Sequence, residues 1–451
     1  MKFKVDPVRE TALKVLKEVS HDGKYANMSL KRHLRRTEFA GMDAAFITQL
    51  VYGTLERQIT IDWILSRFCK LKRANPWVVN ILRMGCCQII YMDRVPDSAV
   101  CNESVELCKK FANASLAGFV NGVLRNIVRN KGNIEIPQKD KEPVEYLRLT
   151  YSYPAWLVEK WIEDYGLDTA ERMLMPVNGD DYVTIRVNRS RISAEKLKPL
   201  LAEQGIGSQD SLFMQDEALR IRPARDIENN HLYRNGFFTV QGESSMLVVH
   251  LLDPQKDENI LDACSAPGGK AAHMAERMEN RGRILAWDIH PRRVDILRRN
   301  VQRMGASIVE PQQQDAGSFQ AVLEERFDRV LIDAPCSGWG VIYKKPDIKN
   351  RIKRDELPAL YDVQRRIISN CSRYVRPGGV LVYSTCTMNM DENQKIIENF
   401  LNDNPLFELD DFSGLLPQTL NESVIKPGMI QLIPSRDGVD GFFIARLRRT
   451  G

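Results

Sequence analysis

Two cysteines of the 451-residue chain stand where a thiol can do chemistry. Cys336 follows Asp333-Ala334-Pro335 and precedes Ser337-Gly338, and Cys386 lies within Ser384-Thr385-Cys386-Thr387. Each closes a short apolar run of strand character, Arg329–Ile332 and Val380–Ser384. An isolated cysteine in a strand is usually packing. Two at successive strand ends, both flanked by polar residues, suit covalent catalysis by a thiolate.

Upstream, Ile260-Leu261-Asp262-Ala263-Cys264-Ser265-Ala266-Pro267-Gly268-Gly269-Lys270 reads as a strand, a glycine turn and a helix start. Such a turn lets the backbone approach a ligand at the carboxyl end of a strand. A P-loop would need Gly at 264 and Ser or Thr at 271, where Cys264 and Ala271 stand. The dinucleotide fingerprint needs three spaced glycines, and the turn has Gly268 and Gly269. Asp288 ends the next strand, twenty residues past Gly268, where a carboxylate reaches ribose hydroxyls. Asp315 follows the third strand, placed to accept from an adenine amino group, and Asp333 ends the fourth. Any one aspartate alone is more often a cap or turn residue. Four strand-end signals in register, with no phosphate loop, point to an adenosyl ligand.

The elements that must position these residues are strands alternating with helices from about residue 255 onward. Asn259–Ala263, Arg283–Trp287, Arg329–Ile332 and Val380–Ser384 are separated by helical stretches such as Arg292–Met304 and Asp362–Tyr374. That alternation predicts an α/β fold with a doubly wound sheet. Gly441–Arg448 follows a hairpin-like Ser435–Gly438 turn and is expected to run antiparallel. Before the sheet, residues 145–240 read as a small α+β domain. Tyr151–Tyr165 and Ala194–Gln204 are its helices, and Val183–Val187, Leu219–Ile221 and Phe237–Val240 its strands. Residues 1–140 read as all-α. Asp6-Pro7 starts a helix, Ile61–Phe68 and Trp77–Ile90 continue the pattern, and Leu116, Phe119, Val120, Val123, Leu124, Ile127 and Val128 form an apolar stripe. The catalytic domain is then 241–451.

Length alone predicts about three domains, and 43% hydrophobic with 27% charged residues is a globular composition. No stretch reaches the roughly 18 apolar residues of a membrane span. The charged start at Met1–Asp6 is not a leader, so a cytoplasmic protein without membrane contact is expected. Nine cysteines with no Cys-x-x-Cys pair and six scattered histidines argue for free thiols and no metal site. Residues 1–131 carry 22 Lys/Arg against 12 Asp/Glu, a net +10, while 132–451 carry a net −5. A basic first module on an acidic remainder suggests that this module meets a polyanion, with Lys31-Arg32-His33-Leu34-Arg35-Arg36 as its densest run.

The run Asp262–Lys270, with Asp333–Gly338, Lys345-Pro346-Asp347 and Thr385-Cys386-Thr387 ahead of Glu392-Asn393, resembles the Nop/Sun family of RNA cytosine-5 methyltransferases. The basic front end, with Asn121-Gly122-Val123-Leu124-Arg125, is similar to the NusB-like domain of the branch acting on bacterial 16S rRNA. The likeness covers nearly the whole chain and is densest in 258–393. It implies a class I methyltransferase, a Rossmann-like sheet preceded by a NusB-like helical domain, using S-adenosyl-L-methionine to methylate carbon-5 of an rRNA cytosine. Cys264, Ser265, Ala266, Pro267, Gly268, Gly269, Lys270, Asp288, Asp315 and Asp333 would line the cofactor site. Cys386 would be the nucleophile and Cys336 would assist release. Asp333 could also hydrogen-bond the cytosine edge. The family's usual Asp, Ala and Ser are replaced here by Gly242, Ser265 and Thr387. Two other readings are an RNA-binding protein that no longer catalyses and an amino-group methyltransferase. The second would carry Asp/Asn-Pro-Pro-aromatic where Asp333-Ala334-Pro335-Cys336 stands.

Overall fold

The computed structural model describes residues 5–36, 39, 41–71, 74–175, 182–223, 227–351 and 353–451. The charged start at 1–4 and the side chain of Arg36 lie outside them. The chain forms two compact units, 1–175 with 342–352, and 176–341 with 353–451.

The first unit is helical: α1 Pro7–Ser20, α2 Ala26–Arg36, α3 Gly41–Glu56, α4 Gln58–Ser66, α5 Pro76–Tyr91, α6 Asp97–Phe111 and α7 Ala117–Asn130. Asp6 caps α1 by accepting the Val8 N–H at 3.0 Å, with Pro7 in the first turn, as its pattern predicts. α7 buries Val120, Val123, Leu124 and Ile127. Phe119 lies one step round the helix from that face and is exposed. The helix expected over Tyr151–Tyr165 is divided. α8 Pro143–Tyr151 ends at Ser152 in the left-handed region, and α9 Ala155–Tyr165 begins after Pro154, followed by α10 Leu167–Leu174. Proline disfavours helix in the residue before it. The Ser152 hydroxyl is engaged as well, accepting the Ile59 and Thr60 N–H groups at 3.1 and 3.3 Å.

The segment 342–352 packs inside this helical unit although it comes from between two catalytic strands in sequence. Lys349 is buried, with its ammonium 3.9 Å from the Tyr153 ring centre. It donates to the carbonyls of Glu56 and Tyr151 at 3.2 and 3.1 Å. Asp347 is also buried and accepts from Arg351 at 2.9 Å, and Arg351 in turn donates to the Gly23 carbonyl at 3.1 Å.

The second unit opens with an antiparallel sheet of β1 Val183–Val187, β2 Gly207–Asp210, β3 Ala218–Arg222 and β4 Phe238–Val240, in the order β2-β3-β1-β4. β2, Gly-Ser-Gln-Asp, has no apolar alternation, so its sequence carried no strand signal. α11 Ala194–Ala202 and α12 His231–Arg234 connect these strands.

After α13 Glu243–Leu252 come β5 Asn259–Asp262, α14 Gly269–Arg277, β6 Arg283–Asp288, α15 Pro291–Met304, β7 Val309–Gln313 and β8 Phe327–Asp333. α16 Leu357–Ser372, β9 Val375–Thr385, α17 Gln394–Asp403, β10 Phe407–Leu409, β11 Val424–Lys426, β12 Met429–Leu432 and β13 Phe442–Arg449 complete the unit. The sheet order is β11-β12-β13-β9-β8-β5-β6-β7, with β10 on β13. β7-β6-β5-β8-β9 is parallel, and β13 runs antiparallel against β9. Alternation along each strand divides the core into two layers. Ile260, Val380 and Val382 pack with α13, α14 and α15, while Leu261, Leu381 and Tyr383 pack with α16 and α17. This is the doubly wound fold that the sequence predicts.

The small sheet is pinned to the large one by polar contacts. Asn188 donates to the carbonyls of Gly236 and Met304 at 2.8 Å each. The Arg303 guanidinium lies 3.8 Å from the Tyr233 ring centre and donates to the Tyr233 and Phe238 carbonyls. Glu217 receives His273 and Arg277, both from α14, at 3.1 Å.

Candidate active site

The glycine turn follows directly from β5. Gly268 has φ +98°, and a Cβ there would come within 2.5 Å of Leu297, so this position excludes a side chain on two grounds. α15 braces the turn: Arg293 donates to the Ala266 carbonyl at 2.7 Å and Asn300 to the Pro267 carbonyl at 2.8 Å. The Ser265 N–H donates to the Trp287 carbonyl at 2.7 Å, tying the turn to β6. The Cys264 side chain packs against the α16–α17 layer, and burial pushes its thiol well up.

Asp288 is buried at the tip of β6, accepting the His290 N–H at 3.0 Å and facing Arg293 at 3.3 Å. Asp315 is exposed and closes its own turn, accepting from the Gly317 N–H at 2.8 Å and the Ser318 hydroxyl at 3.2 Å. Asp333 meets Lys270 at 2.6 Å and accepts from the Ser384 hydroxyl at 2.9 Å.

β8 and β9 pair in parallel with Asp333 opposite Ser384, which brings the two following loops together. The sulfurs of Cys336 and Cys386 are 3.3 Å apart. The Cys386 hydrogen bond, burial and the nearby Glu392 charge all push the Cys336 thiol well above its ordinary value. The Gly340 N–H donates to the Cys386 carbonyl at 3.0 Å. A Cβ at Gly340 would stand 2.0 Å from the Gly441 carbonyl, so β13 closes over this loop at a distance only glycine permits. The structure therefore brings together Lys270, Asp333, Cys336 and Cys386, and places Asp315 on the exposed turn after β7, next to Gln314, whose N–H donates to the Asp288 carbonyl at 3.1 Å.

One acid beside the glycine turn had no role assigned from sequence. Asp262 is fully buried, and neither carboxylate oxygen has a hydrogen-bond partner among the described residues. Burial raises it to about 7, against the pull of the nearby Ser265 hydroxyl and the Lys270 charge, with the Asp333 and Asp288 charges adding to the rise. The available signal was its place as the last residue of β5, directly before the turn. The departure at Gly242 also has an explanation: the Asp440 carboxylate lies 2.7 Å from where a Cβ would be, filling the space a side chain there would take.

A doubly wound sheet with this glycine turn and acidic strand tips defines a class I methyltransferase. The donor set fits a cationic adenosyl cofactor. The Asp262 carboxylate and the nearby Ser265 hydroxyl lie buried at the turn without a hydrogen bond of good geometry to any other described residue, which leaves acceptor capacity there for a ligand's donors. Residues 249–448 match the family described as 16S rRNA methyltransferase RsmB/F, 6–129 match the NusB family, and 153–228 match the RsmF/B-like ferredoxin-like domain. The probable ribosomal RNA small subunit methyltransferase B of Bacillus subtilis is 37% identical over all of both chains. The similarly named protein of Synechocystis is 32% identical over 98% of this chain and 99% of its own. The crystal structure of PH0851 matches with a TM-score of 0.83 at 27% identity, covering 98% of this chain and 99% of that one. The chain belongs to the RsmB/F family of S-adenosylmethionine-dependent 16S rRNA methyltransferases. Among the described residues no helix is long and apolar enough to cross a membrane, and no group of three or more His, Cys, Asp or Glu is placed to hold a metal.

Proposed function

We propose that this chain methylates carbon-5 of a specific cytosine in small-subunit rRNA through a covalent bond between Cys386 and carbon-6. The observation that carries the reading is the pair of sulfurs 3.3 Å apart on the two loops that follow Asp333 and its strand partner Ser384. Carbon-5 of cytosine is too weak a nucleophile to take a methyl group unaided. Addition of the Cys386 thiolate to carbon-6 pushes electron density onto carbon-5. The target base must leave its stack to reach the thiol. Asp333, held by Lys270 and Ser384, is assigned to the ring edge near nitrogen-3, where charge develops. S-adenosylmethionine supplies the methyl group. The turn Cys264–Lys270, with Asp288, Asp315 and Asp333, is assigned to hold it.

Cys336 is assigned to the last step. The two sulfurs are in hydrogen-bond contact at the start. Once Cys386 is bonded to carbon, that hydrogen bond is gone and Cys336 ionises more readily. Once its own proton has passed to solvent, the Cys336 thiolate takes the carbon-5 proton, the carbon–hydrogen electrons form the carbon-5–carbon-6 double bond, and the carbon-6–sulfur bond breaks with its electrons returning to Cys386. The basic helical segment within 1–140 is assigned to rRNA contact, the 145–240 segment to a supporting platform, and 241–451 to the chemistry.

The test is a denaturing gel with labelled 16S rRNA and S-adenosylmethionine. Cys386→Ala should form no protein–RNA adduct and transfer no methyl group. Cys336→Ala should stall as an adduct that survives boiling in detergent, and the double variant should show none. An adduct with Cys386→Ala and none with Cys336→Ala reverses the assignments. No adduct with either variant, alongside retained methyl transfer, removes the covalent mechanism.

A further inference from the structure

Behind the two sulfurs lies a buried polar network that the mechanism above does not use. Glu392, Asn393, Asn389 and Gln364 are all fully buried. One Glu392 oxygen accepts the Ser337 N–H at 2.8 Å and the Gln364 amide at 3.0 Å, and the other accepts the Asn389 amide at 2.9 Å. The same Gln364 amide donates to the Pro335 carbonyl at 2.8 Å. Both neighbours of Cys336 are therefore held from one carboxylate.

Asn393 holds the other loop. Its amide nitrogen donates to the Thr387 carbonyl at 3.0 Å, and its oxygen accepts from the Thr385 hydroxyl at 2.6 Å. Both neighbours of Cys386 are thus held from one side chain. Gln431 of β12 fixes the orientation of that amide, accepting from it at 3.0 Å. A hydroxyl pair, Ser337 and Thr387 at 2.7 Å, ties the two loops directly.

We infer that Glu392 and Asn393 are positioning residues that set the distance between the two sulfurs, Glu392 through the Cys336 loop and Asn393 through the Cys386 loop. The two residues are adjacent in sequence, so any shift of one loop is transmitted to the other through a single peptide unit. Burial sharpens the device. Burial raises the Glu392 carboxyl, against the pull of the Ser337, Asn389 and Gln364 donors. Three donors converge on it, and a group with a donor of its own at either oxygen position cannot receive all three. Glu392→Gln keeps the volume but replaces one accepting oxygen with an NH2. Asn393→Asp keeps the volume but removes the donor to Thr387. Both changes leave Cys336 and Cys386 in place.

The inference rests on the reading of these cysteines as a reacting pair, and a redox probe separates the two ideas. Diamide takes two electrons and two protons from neighbouring thiols and leaves a disulfide. Its rate at Cys336–Cys386, read by mass spectrometry of the full-length protein, depends on sulfur placement and not on methyl transfer. Each variant is expected to form this disulfide at least about tenfold more slowly than the wild type. Each should also lose about a hundredfold in kcat, the effect of a misplacement of about 1 Å, with KM for both substrates little changed. Asn188→Ala, which breaks a buried network elsewhere in the same unit, controls for lost stability. It should lower the melting temperature without slowing the disulfide. Wild-type disulfide rates in both variants, with activity falling only as the folded fraction falls, overturn the inference. Slow disulfide formation in the variants of an enzyme whose methyl transfer survives Cys386→Ala would keep the clamp and discard the covalent mechanism.

Discussion

The helical unit and the catalytic sheet each hold a pair of neighbouring cysteines, and the two pairs live in different chemistry. Cys86 and Cys87 lie side by side in α5, fully buried among apolar residues from α1, α3 and α7. Burial pushes the Cys86 thiol far up and brings Cys87 up to about 11. Cys336 and Cys386 are only partly buried and follow the ends of adjacent strands, their sulfurs in contact and the residues on either side held by hydroxyls, amides and a carboxylate. The type of residue is the same in both regions. On the proposed mechanism, what sets the second pair apart is the network of polar groups that holds it at the strand tips.

The contrast is broken most directly by comparing alanine substitutions. Cys386→Ala should lower methyl transfer by at least about a thousandfold, as loss of a nucleophile does. Cys86→Ala should leave the rate per folded molecule unchanged while costing about 1–2 kcal/mol of stability through the void it leaves. Tritiated methyl transfer and denaturant unfolding measure the two. A comparable loss of turnover in Cys86→Ala would show that the helical pair also serves the reaction.

Asp288→Ala tests the cofactor side of the sheet. Removing a buried acceptor should cost about 1.5–3 kcal/mol, or roughly ten- to a hundredfold in S-adenosylmethionine affinity by calorimetry. rRNA affinity should stay the same. Wild-type cofactor binding would remove Asp288 from the site.

The helical side is tested through charge. Lys31→Gln combined with Arg35→Gln should weaken rRNA binding about tenfold and flatten its salt dependence by about 0.7–0.9 for each phosphate no longer neutralised. Cofactor affinity should not move. An unchanged salt slope would assign rRNA contact to another surface.

A further effect concerns pH. Cys87 ionises near its ordinary 9.0 in the unfolded chain and near 11 in the folded one. Between those values the folded state holds the proton that the unfolded state has lost. Stability is therefore full below about 9 and falls as pH rises towards about 11, by about 2 kcal/mol. Unfolding curves across that range should decline less steeply in Cys87→Ala. Equal slopes would mean that Cys87 is reached by water.

Much of the catalytic sheet was legible because parallel strands buried on both faces leave apolar runs ending in chemistry-bearing residues. Asp262, Asp288, Asp333, Cys336 and Cys386 all sit where such runs stop. The roles of Glu392 and Asn393 were not legible, because one hydrogen bond spanning 55 residues to Ser337 and others turning back six and eight residues to Thr387 and Thr385 leave no periodic trace. β2 was missed for a related reason, being a polar edge strand. The break at Ser152 turned on Pro154, whose effect on the preceding residues a purely apolar pattern does not register. The helical unit's recruitment of 342–352 lay beyond any local reading, since Lys345-Pro346-Asp347 looks like one more loop motif of the catalytic half.

That recruitment has a consequence for how the protein is made. Synthesis runs from the amino end, and leading domains ordinarily fold as they emerge from the ribosome. Here the leading domain is released incomplete. The carbonyls of Glu56 and Tyr151 wait for an ammonium that is translated only after β5 to β8 of the large sheet. Ribosome-bound chains stalled before residue 342 should expose α3 and α8 to protease far more than chains stalled beyond 400, and equal resistance would count against this order. Until Lys349 arrives, the nascent chain carries an unfinished helical bundle, and the translating ribosome itself sets when that bundle can close.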